Sequence, residues 1–234
     1  MPKLFFILLL SLNIIAKSID LPDSKRASTA RTAIWPKLQK ELNEQGFDKN
    51  YRIYIRVFKQ LDQLEVWAKK GSKYEIFKRY NVCYYSGGLG TKMSKGDGKS
   101  PEGFYNIGAK QLNPVSNYHL SINIGYPNKL EKLKGYTGDA IMIHGSCASI
   151  GCYAMTNPTI EEIYTLVYKA LEAGQQNISL AIFPFRMDDS HMKSFTTSPY
   201  YSFWKTMQPG YELFEKNHMP PVVSVGNKQY VFGR

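Results

Sequence analysis

The sequence predicts a single β-rich α+β domain with helices packed on its outside. Three observations predict it. From Tyr51 the chain alternates with a period of two, YRIYIRVF over residues 51–58, and the pattern returns at 64–69 and 74–85. Such runs of β-branched and aromatic residues build strands. One helix is well signalled, between Thr159 and Gly174. Finally, the 234 residues, 43% hydrophobic and 14% aromatic, suffice for one core, and no internal repeat divides them.

Taken in order, residues 1–18 stand apart. Lys3 precedes residues 4–15, which are apolar except for Ser11 and Asn13, and Ala16-Lys17-Ser18 puts small residues where a signal peptidase reads. This run is too short to span ~30 Å of hydrocarbon as a helix. It reads as a cleaved secretory signal, the other reading being a buried N-terminal helix. No cysteine follows it to take a lipid, and no later run in the mature chain is apolar enough to be transmembrane. Residues 19–50 read as a polar N-terminal linker ending in a short helix at 36–44. The domain proper is expected over 51–234.

Within it, residues 51–85 form an antiparallel meander that turns at Lys70-Gly71-Ser72. A loop dense in glycine and lysine follows, SGGLGTKMSKGDGKSPEG over 86–103. Gly98-Lys99-Ser100 invites a phosphate-loop reading, but Met93 stands where that motif needs glycine and Pro101 where it needs a helix. Residues 104–107, 118–124 and 140–144 read as short strands. Thr159 and Glu162 have capping-box spacing, and Ile160, Ile163, Val167, Ala170 and Leu171 line one face of the helix that Gly174 ends. Residues 178–185 return as a strand. A C-terminal helical extension is expected at 198–217, broken at Pro209-Gly210.

The formal net charge is +11, and loss of Lys3 and Lys17 with the leader makes it +9. The cations are scattered, with neither an arginine-rich helix nor the aromatic motif of an RNA-binding sheet, so no nucleic acid partner is expected. A polyanionic cell-wall surface meets the same electrostatics. Three cysteines leave at least one unpaired. Cys83 and Cys147 could join if they lie close, leaving Cys152 as the free thiol.

The chemistry concentrates in IMIHGSCASIGCYAMT, residues 141–156. An apolar strand runs into His144, and a tight turn sets Ser149-Ile150-Gly151-Cys152 ahead of a helix. An imidazole nearby favours a thiolate, and backbone N–H groups around Gly151 and Cys152 can converge on a developing oxyanion. The segment thus offers Cys152 as nucleophile, His144 as general base and Gly151 as oxyanion donor, with Ser149 as an orienting group or a turn residue. A lone cysteine or histidine is otherwise most often a packed core residue. Zinc on His144, Cys147 and Cys152 matches no standard spacing, and no metal or cofactor is expected.

The segment resembles the signature of the YkuD-type L,D-transpeptidase family, in which a His-Gly pair precedes a Ser-x-Gly-Cys turn, and more narrowly its YafK-like branch. The likeness runs from about residue 51 through SGGLG (86–90), GDGKSPEGFY (96–105), INIGYPN (122–128), IMIHG with SIGCYAMTN (141–157), PFRM (184–187) and PGYELFE (209–215). It departs from the wider family at Ile150, usually histidine, at Ala154, usually arginine, and in the short interval between His144 and Cys152. The resemblance implies a mixed β-sandwich or barrel with peripheral helices, located in the periplasm and acting on meso-diaminopimelate stems of peptidoglycan. It further implies hydrolysis of the amide linking peptidoglycan to an outer-membrane lipoprotein. Arg186, Tyr105 and Lys99 are candidate ligands for the stem's carboxylates, Arg186 foremost because its fork suits a carboxylate. The competing expectations are a transpeptidase or carboxypeptidase using the same Cys152 chemistry, and a non-catalytic wall-binding module.

Overall fold

The computed structural model describes residues 20–233, so the expected leader lies outside it. In chain order its elements are α1 (Lys25–Glu44), β1 (Ile53–Phe58), β2 (Gln63–Lys70), β3 (Lys73–Asn81), β4 (Gly103–Ile107), β5 (Leu112–Asn113), β6 (Ser121–Asn123), α2 (Lys129–Leu133), β7 (Met142–His144), β8 (Tyr153–Ala154), α3 (Asn157–Glu172), β9 (Ile178–Phe183), α4 (Asp189–Lys193), α5 (Tyr201–Asn217), β10 (Val222–Gly226) and β11 (Gln229–Gly233). The mixed α+β, β-rich class is the one expected.

The meander β1–β2–β3 forms as anticipated, and β9 joins it parallel to β1, giving a five-stranded sheet in the order β3-β2-β1-β9-β4. A second sheet runs β5-β6-β7-β8, with β7 and β8 parallel. Alternation assigns the two faces of the large sheet to different cores. Ile53, Ile55, Val57, Leu180 and Ile182 pack into one core with Ile143, Tyr153 and the buried face of α3. Tyr54, Phe58, Ala181 and Phe183 face the other, closed by Trp204, Met207, Tyr211 and Phe214 of α5. Among the described residues no helix is long and apolar enough to cross a membrane.

Four expectations change. The linker is largely helix: α1 starts at Lys25, with the Ser24 side chain accepting from Ala27 N–H at 3.2 Å, and it runs through Pro36. Burial of Ala27, Ala30, Leu38 and Leu42 along one side outweighs the hydrogen bond that proline removes. α3 begins at Asn157, because Thr156 rather than Thr159 is the cap and Pro158 occupies the first turn. α5 is continuous through Pro209-Gly210. A Cβ on Gly210 would lie 2.3 Å from the Phe232 ring, so glycine is there for close approach rather than as a break. The C-terminal extension also holds an unforeseen hairpin, β10–β11, turning on Asn227 and Lys228 at φ 50° and 53°.

Candidate active site

β7 and β8 carry the site. Ile143 pairs with Tyr153 and His144 with Ala154, which sets Cys152 at the start of β8 beside Met142, two residues from His144 along β7. The Met142 N–H donates to Cys152 Sγ at 3.4 Å, and the thiol points to the Ala140 carbonyl at 3.7 Å. The turn before the thiol is tightly specified. Gly151 sits at φ 110°, and a Cβ there would meet the Ile141 side chain at 3.3 Å and the Lys99 carbonyl at 3.4 Å. The Ser149 and Ser100 hydroxyls both donate to the Cys152 carbonyl, at 2.9 and 3.3 Å. Ser149 therefore holds the backbone at Cys152. Ile150, at the tip of the turn, is 88% exposed.

His144 is only 2% exposed, and its Nδ1 lies 2.6 Å from the Gly145 carbonyl. A carbonyl can only accept, so Nδ1 carries the proton and Nε2 is left with its lone pair, the tautomer a general base needs. Burial holds the imidazole below its ordinary pKa, against the Gly145 hydrogen bond. Burial likewise pushes the Cys152 thiol up, opposed by the Met142 N–H, Ser149 and the charge of Lys92. The resting pair is thus neutral thiol and neutral imidazole.

The Cys83–Cys147 disulfide spans Cα atoms 5.5 Å apart and ties the loop between His144 and Cys152 to the end of the meander. There Tyr84 bridges Ala154. Cys152 is the free thiol, and the zinc alternative loses Cys147 to the disulfide.

The other expected ligands lie elsewhere. The Arg186 Nη2 is paired with Glu65 at 2.6 Å, reaches Gln63 at 3.2 Å, and its guanidinium lies 4.3 Å above the Phe58 ring, so it is already neutralised. Tyr105 is buried and donates to Glu131 at 2.6 Å. The Lys99 Nζ is capped by the Gly87 and Leu89 carbonyls, and only its backbone borders Gly151. A cavity of about 640 Å³ lies between β4 and β10, lined by Tyr54, Asn106, Ser179 and Val223 and by no residue of the His144–Cys152 segment. Two neighbours of the site were not anticipated. Lys92 is buried, bound to Asp97 at 2.8 Å and Ser94 at 2.9 Å, and the loop sequence offers no way to choose it over Lys95 or Lys99. Tyr118 lies against His144 with ring centroids 4.6 Å apart.

Residues 52–175 match the YkuD family, described as the L,D-transpeptidase catalytic domain. The chain belongs to the YkuD L,D-transpeptidase family. It is 47% identical over 182 residues to YafK of Escherichia coli (strain K12), an L,D-transpeptidase by name, covering 78% of this chain and 74% of that protein. The same figures hold for YafK of Escherichia coli O157:H7. Among solved structures it is similar to the helical cell shape determining protein Pgp2 from Campylobacter jejuni. There the TM-score is 0.48 at 20% identity, over 81% of this chain and 80% of that one. As a YkuD member the protein is an L,D-transpeptidase-family enzyme, and that family acts on peptidoglycan.

Proposed function

We propose that this YkuD enzyme is exported to the periplasm and hydrolyses the amide between meso-diaminopimelate in a peptidoglycan stem and an outer-membrane lipoprotein. The observation that carries the reading is the short loop between His144 and Cys152, closed further by the Cys83–Cys147 disulfide. A transpeptidase must seat a second stem beside the acyl-enzyme, and this loop has little chain from which to build a wall for it.

In the reaction, His144 Nε2 takes the Cys152 proton as Sγ attacks the carbonyl at the L-centre of diaminopimelate. The Gly151 and Cys152 N–H groups receive the developing oxyanion. The C–N bond breaks, and the departing amine takes the proton from His144. The stem is left as a thioester, which water, deprotonated by His144, cleaves to a free carboxylate and thiol. No metal or cofactor is required. The net charge of +9 expected for the mature chain suits an anionic wall.

Mass spectrometry of muropeptides from lipoprotein-bearing sacculi, incubated with the protein or with Cys152→Ala, tests this. Loss of lipoprotein-bearing species that needs Cys152 is expected. New diaminopimelate–diaminopimelate dimers, with lipoprotein species unchanged, would establish cross-linking instead.

A further inference from the structure

The loop between β5 and β6 presses on the catalytic histidine, and the N-terminal helix holds that loop. Tyr118 covers the His144 ring at 4.6 Å with the planes tilted by 37°, yet remains 52% exposed on its other side. The backbone behind it is equally close. Gly145 N–H donates to the Leu120 carbonyl at 3.1 Å, and a Cβ on Gly145 would stand 2.8 Å from the Tyr118 carbonyl.

Between these contacts His119 has φ 69°, a conformation that a non-glycine residue keeps only when its surroundings enforce it. Arg26 of α1 donates to the Ser116 and His119 carbonyls at 3.0 and 2.8 Å, Ser24 donates to Pro114 at 2.8 Å, and Glu161 of α3 holds His119 Nε2 at 2.6 Å.

We propose that Tyr118 is a positioning residue for His144, and that Arg26 acts through it, so that α1 is part of the catalytic apparatus. Tyr118 fixes the plane of the imidazole and keeps water off one face, leaving Nε2 to turn toward the thiol. The titratable and charged neighbours are Cys152 on the nucleophile turn, Tyr118 and His119 on the loop, Glu161 on α3, Arg26 on α1, and Lys92, which is paired with Asp97. Glu161 is engaged by His119, and Arg26 by carbonyls. Water exclusion is therefore the influence that Tyr118 controls.

The inference rests on His144 being the base, and its test separates the two. Proton NMR titration of His144 in the full mature chain needs no substrate. Tyr118→Ala and Arg26→Ala should both raise the imidazole's titration midpoint, Arg26→Ala by less. Tyr118→Phe should match the unaltered protein, since the packing is the ring's, and Lys37→Ala, elsewhere on α1, serves as control. On sacculi, Tyr118→Ala should lower kcat on the order of 10-fold with KM little changed, as misplacement of a catalytic group does. Unmoved midpoints in Tyr118→Ala and Arg26→Ala would overturn the positioning role. Full activity of His144→Ala would overturn the base assignment instead, whatever the midpoints do.

Discussion

Two polar clusters in this enzyme behave as opposites. In the first, Glu65 is fully buried beneath Arg56 and Arg186. One carboxylate oxygen accepts from Arg56 Nε and Nη2 at 3.1 and 2.9 Å and from Trp67 at 2.8 Å, and the other from Arg186 at 2.6 Å. Arg56 also reaches Glu215. Burial alone would push Glu65 up, but the two arginines outweigh it and hold it below the ordinary carboxylate range. In the second cluster, the His144 ring and the Cys152 thiol hydrogen-bond to backbone groups, burial is the largest cause of both shifts, and no cation or carboxylate is paired with either. In the charged cluster both oxygens of the carboxylate are claimed by the cluster's own donors. Reactive capacity lies in the pair that the fold leaves incompletely satisfied.

The contrast can be broken at either end. Cys152→Ala should abolish release of lipoprotein from sacculi while leaving the thermal midpoint nearly unchanged, because a small thiol contributes little packing; retained turnover would remove the nucleophile. Glu65→Ala leaves Arg186 without its carboxylate and buried Arg56 with Glu215 alone, and should cost about 3–5 kcal/mol in urea unfolding. The molecules that remain folded should still react with iodoacetamide at Cys152 at the original rate.

Glu131 sharpens the comparison as a buried carboxylate without a cation. Burial lifts it to about 7, against hydrogen bonds from Tyr105 and Asn128 N–H. A carboxyl that is more protonated when folded favours the native state most at low pH. Stability should therefore decline as pH rises from 4.5 to about 7, by on the order of 3 kcal/mol, and level off above. Unfolding at a series of pH values checks this, and Glu131→Gln should flatten the decline. The smallest effect is expected from Arg186→Gln, which should leave KM for a muropeptide substrate unchanged and lower only the midpoint of unfolding.

That last expectation reverses a reading of the sequence, and the reason is general. A sequence displays which donors exist but not which acceptors claim them. Arg186 advertises a carboxylate fork, and only the fold reveals that Glu65, on a strand far away in the chain, has taken it. The meander was legible because alternation at 51–58 is a local signal, and so was the Ser-x-Gly-Cys turn, whose glycine requirement is local too. Pro36 misled: it suggested a helix start, whereas α1 gains more from its apolar side than it loses at one hydrogen bond. The C-terminal hairpin turns on Asn227-Lys228, a pair that lacks the glycine by which such turns are recognised in a sequence. Tyr118 carried no signal at all, since its contact joins the β5–β6 loop to His144 on β7.

The place of β9 gives the family resemblance a boundary problem. The matched stretch closes at Gln175, yet residues 178–183 are the strand between β1 and β4, and β9 is the only sheet neighbour β4 has among the described residues. A chain ended at Gln175 would leave β4 without its ladder, and the Lys99–Pro101 segment that backs Gly151 runs straight into β4. Trp204 would go as well. Its indole donates at 2.7 Å to Glu102, whose other oxygen holds Lys59, which in turn grips the Gly90 and Ser100 carbonyls. Inherited chemistry and cooperative folding thus have different borders in this protein. The matched stretch does not by itself complete the five-stranded sheet, and the last quarter of the chain supplies the strand between β1 and β4.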